Sequence, residues 1–140
     1  MADEIKNAKD GLSLLLSGIT GLTVVDYPVG SINQFPAAVV LFESRNAREV
    51  IAGSSFRGQV KVVLLVSSAD TKQAYDTLDG FMDPLGSTSL EAVVDADNTW
   101  GGNVDDGRLT SVDNIGLRKL WGGSYVGADF HFGFIKSVSG

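Results

Sequence analysis

The side chains in this sequence that could carry chemistry are few and scattered. His131 is the only histidine, and the chain has no cysteine. A zinc site needs several nitrogen, sulfur or carboxylate ligands, and no His-x-x-x-His or Cys pair is present to supply them. A general base needs a group that orients it, and the sequence shows none. His131 is therefore expected as an exposed or interface residue. Asp95, Asp97, Asp105 and Asp106 form the one acidic cluster, with no basic residue between them. Paired carboxylates can bind calcium or run acid–base chemistry. The glycine and terminal glutamate of an EF-hand loop are missing, however, so the ordinary expectation is a solvated loop.

Other patterns are weaker still. Gly101-Gly102, Gly116 and Gly122-Gly123 build no phosphate-binding loop, because no G-x-x-x-x-G-K-[ST] or G-x-S-x-G string occurs. Phe130, Phe132 and Phe134 could imitate a base-stacking sheet, but their even spacing and the acidic balance favour core packing. Arg45, Arg48 and Arg57, with Glu49 among them, flank a long loop and the strand after it. They are expected either as a solvated loop or as a contact with a partner subunit, where arginine is enriched. The sequence assigns no catalytic residue, no cofactor and no metal.

The elements that must position these residues follow from periodicity. Ile5, Ala8, Leu12, Leu15, Leu16 and Ile19 recur at spacings of three and four, which predicts an amphipathic helix from about Asp3 to Ser17. Gly11 inside it costs about 1 kcal/mol relative to alanine. Leu22–Asp26 reads as a short strand, followed by an elbow bracketed by Pro28 and Pro36. Ala37–Phe42 is apolar on both parities and predicts a strand covered on both faces. Glu43–Ser55 reads as a long loop, mobile in the free subunit, with room for a short strand at Glu49–Ala52.

Ser55–Ser67 is the longest expected strand. Phe56, Gly58, Val60, Val62, Leu64 and Val66 share its core parity. Arg57, Gln59 and Lys61 share the other, which turns apolar at Val63 and Leu65. Asp70 with Gln73 gives capping-box spacing for a helix that stops before Pro84, and Thr88 with Glu91 gives it for a short helix to about Val94. Arg108–Trp121 reads as a strand with a bulge near Asp113-Asn114, then a tight turn at Gly122-Gly123. In the last strand Val126, Ala128, Phe130, Phe132 and Phe134 alternate with Tyr125, Gly127, Asp129, His131 and Gly133.

The order of elements predicts an α+β fold: a mainly antiparallel sheet of about five strands, two main helices on one face, and a short third helix. The 140 residues are expected to form one domain, 1–140. A hydrophobic fraction of 44% beside a charged fraction of 20% is that of a folded globular chain. The net charge of −6 argues against tight nucleic-acid binding, which needs clustered lysine and arginine. The apolar run Leu14-Leu15-Leu16 is too short to span a membrane, so a soluble protein made in the cytoplasm is expected.

The stretch Ile19-Thr-Gly-Leu-Thr-Val-Val-Asp-Tyr-Pro28, followed by Ser31-Ile-Asn, Pro36 and an apolar strand, resembles the opening of small tail-terminator proteins of long-tailed bacteriophages. The likeness continues diffusely through Val62–Asp70, Leu78–Asp83, Gly86–Val94 and Gly127–Phe132. It implies a structural virion protein, not an enzyme, whose subunits close into a ring, six-fold in expectation. Such a ring caps the head-proximal end of the tail tube, stops its polymerisation and joins the tail to the head connector. The implied partners are further copies of the chain, the tail tube protein and the connector or neck proteins. DNA would only pass through the channel, which Asp95, Asp97, Asp105 and Asp106 would face, and no membrane is involved. The implied location is the neck of the virion, after synthesis in the host bacterial cytoplasm. The alternatives are a head–tail connector of the same particle, or a small ligand-binding domain or enzyme using the Asp95–Asp106 loop with His131.

Overall fold

The computed structural model describes residues 4–25, 34–46, 55–121 and 123–137. In chain order the elements are α1 (Glu4–Leu16), β1 (Thr23–Val25), β2 (Ala37–Arg45), β3 (Ser55–Ser67), α2 (Lys72–Met82), α3 (Leu90–Asp95), β4 (Asp106–Leu120) and β5 (Gly123–Ser137). The strands form one five-stranded sheet in the order β1-β2-β3-β5-β4. β1 runs parallel to β2, and every other neighbouring pair is antiparallel. The fold is therefore α+β with a mostly antiparallel sheet. Among the described residues no helix is long and apolar enough to cross a membrane.

The period-two pattern of β3 and β5 decides which face is covered. Val60, Val62 and Leu64 of β3 and Phe130, Phe132 and Phe134 of β5 point to one side, where they meet Leu12 and Leu16 of α1, Leu78 and Phe81 of α2, and Leu90 and Val94 of α3. All three helices thus pack on one face, as the stripe of each requires. The opposite face divides along the strands. At one end Val39, Val63, Leu65 and Tyr125 form a second, smaller buried cluster beneath Phe35, Leu120 and Trp121. At the other end the same parity carries Gln59, Lys61, Asp129 and His131, and the face is polar.

Several sequence expectations shift by a residue or more. The cap of α2 is Thr71, not Asp70: Thr71 has extended backbone angles and its Oγ1 accepts from the Ala74 amide at 3.2 Å. Ser89 caps α3 in the same way, accepting from the Ala92 amide at 3.0 Å, while Thr88 donates instead to the Gly80 carbonyl. β2 runs three residues past Phe42, because pairing with β3 continues through a bulge between Phe42 and Ser44. β4 begins at Asp106 and carries the bulge expected near Asp113, plus a second one between Leu109 and Ser111. Asp26, Pro28, Arg48, Glu49, the short strand at 49–52, Gly122 and most of the long loop lie outside the described residues.

The segment joining α3 to β4 is not the open solvated loop that its polar composition suggests. Trp100 within it is fully buried, on a backbone with φ of 49°. Its indole lies edge-on to Phe132, with ring centres 6.4 Å apart, and tilted against Phe134 at 5.4 Å. Gly107 and Gly11 leave room for it: a Cβ on Gly107 would fall 2.4 Å from the indole, and one on Gly11 would fall 2.2 Å from the Trp100 carbonyl oxygen. Gly11 therefore sits in α1 for close approach to this segment, which offsets the helix propensity it gives up.

Candidate functional site

The acidic cluster read from the sequence does not converge on a ligand. Asp97 turns its carboxylate onto its own segment: Oδ1 accepts from the Thr99 hydroxyl at 2.7 Å and Oδ2 from the Gly101 amide at 2.9 Å. Those bonds hold its pKa below the usual carboxylate value. Asp106 accepts from Asn98 Nδ2 at 2.9 Å and from Arg108, and its pKa is lowered for that reason. Asp105 accepts from the amide and hydroxyl of Ser137, fastening β5 to the start of β4. Asp95 is the exposed last residue of α3. Asp97 and Asp106 thus bind groups within the segment around Trp100.

The arginines divide between the two faces of the sheet. Arg45 pairs with Gly58 across β2 and β3, and its guanidinium lies 5.1 Å from the centre of the Phe56 ring on the helix-covered side. A cation over an aromatic face contributes about 0.5–1 kcal/mol at an exposed site. Arg57, one residue from Phe56, points to the opposite side. There it lines a shallow cavity of about 260 Å³ with Arg108 and Thr110. The sequence's grouping of Arg45 with Arg57 thus holds for the end of the sheet but not for its face.

Of the two places expected for His131, exposed or at an interface, the structure excludes the first. Its side chain is only 12% exposed and lies between two carboxylates. Nδ1 is 2.8 Å from Glu43 Oε1 and Nε2 is 2.8 Å from Asp113 Oδ1. Burial pulls its pKa down, but the hydrogen bonds to Glu43 and Asp113, and the charges of both, outweigh it and the net shift is upward. Directly along β5, Asp129 is buried and bonded to Arg118 of β4 and to Asn114 Nδ2 at 2.9 Å. A donor atom from each of Asp113, Asp129 and His131 falls within 4.8 Å of the others. Those atoms are already engaged, His131 with Asp113 and Asp129 with Arg118 and Asn114, so the group is an ion-pair network that satisfies itself.

The network is assembled by register. β5 places Asp129 and His131 opposite the phenylalanines, β4 brings Asp113 level with Asp129, and Glu43 reaches over β3 from β2. The sequence signal was the charged pair Asp129 and His131 on the second parity of a strand buried on its first. Glu43 stands 88 residues earlier, and nothing local connects it to His131. Each ring nitrogen thus faces a carboxylate oxygen, an arrangement that suits the doubly donating imidazolium.

Compared with known proteins, the chain matches no protein-family model and no curated protein in sequence.

Proposed function

We propose that this protein is a structural subunit of a phage-like particle, a tail terminator whose copies close into a ring on the head-proximal end of the tail tube. The observation that carries the reading is the likeness of the Ile19–Pro36 stretch and its continuations to that family. The site geometry supports a structural role, because Asp97, Asp105, Asp106 and His131 each bond to other groups of the chain and do not converge on one another among the described residues. The outer edge of β4 and the exposed side chains of Leu14, Leu85, Ile115 and Leu117 provide surface for neighbouring subunits. A subunit contact repeated head to tail closes into a ring when its rotation permits. A connector at the same neck is the neighbouring role, and it too would be a ring.

The test is the solution mass by light scattering across protein and salt concentration, with and without purified tail tubes. A six-fold multiple of the 14.8 kDa chain, alone or on tubes, is the expected result. Charge reversal at Arg45 and Arg48 should then weaken assembly. A chain that remains monomeric and ignores tail tubes would overturn the proposal.

A further inference from the structure

A histidine with an acceptor on each ring nitrogen has two distinct states. As imidazolium it donates from both nitrogens; neutral, it has one N–H and one lone pair, and the lone pair faces a carboxylate oxygen. His131 of β5 is in that position, 2.8 Å from Glu43 on β2 and 2.8 Å from Asp113 on β4. Since β3 lies between β2 and β5, the protonated ring ties together strands that are not hydrogen-bonded neighbours in the sheet.

The two carboxylates are not equivalent. The Glu43 side chain is 32% exposed and that of Asp113 57%. When the ring loses a proton, the more exposed group regains water at less cost, so the Glu43 bond persists and the Asp113 bond is lost. Asp113 also stands where the β4–β5 ladder is already interrupted, between Asp113 and Gly116, with Asn114 at φ 52° and Gly116 at φ 126°. Neighbouring charges do not replace the lost contact. Arg118 is held by Asp129, and Arg108, further along β4, by Asp106. Lys61 on β3 is the register partner of His131 on the same face, and its charge works against protonation. The helices pack on the other face and bring no charge to the ring.

We propose that His131 is a pH-operated clasp: protonated, it binds β2 to β4 across the polar face of the sheet, and on deprotonation it frees Asp113 and loosens the bulge of β4. The upward shift of its pKa accords with that geometry. For a raised pKa the clasp's contribution is fully present below 6.5, the unperturbed value, and disappears as the pH rises through the folded-state value.

His131 is the only histidine, so its ring proton resonances are unambiguous in NMR. The experiment follows them against pH in the native protein, D113N and E43Q, alongside amide-exchange protection factors for 111–116 in the native protein and H131Q. The native ring should titrate above 6.5, and each carboxylate variant should move it down. Protection at 111–116 should fall as the native ring deprotonates and stay flat with pH in H131Q. A native titration at or below 6.5, an unchanged titration in D113N, or the same protection profile in H131Q would each overturn the clasp. Should H131Q fail to fold, the carboxylate variants decide the matter by titration alone.

Discussion

Gly11 and Gly80 lie inside α1 and α2, and a rule based on helix propensity treats them alike. Replacing a mid-helix glycine with alanine gains about 1 kcal/mol by that rule. The structure separates them. A Cβ on Gly11 would fall 2.2 Å from the Trp100 carbonyl oxygen and 2.8 Å from Asn103 Nδ2, and the nearer is backbone that cannot rotate away. At Gly80 the nearest atom is Thr88 Oγ1 at 3.4 Å, an ordinary contact at the end of a side chain. Forcing a methyl group into a packed site costs roughly 1–3 kcal/mol. For Gly11→Ala the 2.2 Å approach to backbone puts the strain in the upper half of that range, about 2–3 kcal/mol, leaving a net loss of about 1–2 kcal/mol, or roughly 3–8 °C in Tm. Gly80→Ala should instead gain about 0.5–1 kcal/mol. Urea denaturation at pH 7, read by far-UV circular dichroism, measures both. A Gly11→Ala midpoint equal to or above that of Gly80→Ala would refute the docking of α1 against the Trp100 segment.

Two further predictions concern charge. Arg118→Ala leaves the buried Asp129 with Asn114 as its remaining partner and should cost about 2–4 kcal/mol by chemical denaturation, with Asp129→Asn made in the same background recovering part of the loss. Asp97, whose pKa is lowered by its bonds to Thr99 and Gly101, contributes stability above 3.8 that is lost as the pH falls through its folded-state value. Asp97→Asn should therefore flatten the acid limb of a Tm-against-pH curve below that point, while the neutral plateau drops.

Legibility in the sequence followed the range of the interactions. The limits of β3 and the alternation of β5 were readable because a period of two over many residues leaves little freedom in where a strand can run. The switch of β3 from a half-polar to a wholly apolar strand at Val63 likewise foretold that the second face would be buried at one end only. Capping was right in kind and one residue off in place, since Asp70 and Thr71, or Thr88 and Ser89, differ in angle more than in chemistry. Trp100 was hidden inside a stretch rich in Asp, Asn and Gly. Its burial depends on Gly107 and Gly11, and no local pattern reports a cavity made by residues so far apart. The partners of His131 were invisible for a related reason: a register between strands on either side of β3 is needed to bring Glu43 near.

The sheet order also dictates a schedule. β5, the last of the described strands, is inserted between β3 and β4 and pairs with both. When a ribosome finishes β3 at Ser67, one edge of that strand is met by β2, but the other is not fully paired until synthesis reaches Ser137. At about 5–20 residues per second, that interval lasts roughly 4–14 s. Through it an alternating edge of Phe56, Val60, Val62 and Leu64 stands unpaired on the nascent chain. Helices α2 and α3 emerge meanwhile and can shelter its face, but backbone hydrogen bonding along the edge must wait. The unpaired edge of β3 is thus a feature of the chain's making that the finished sheet no longer displays.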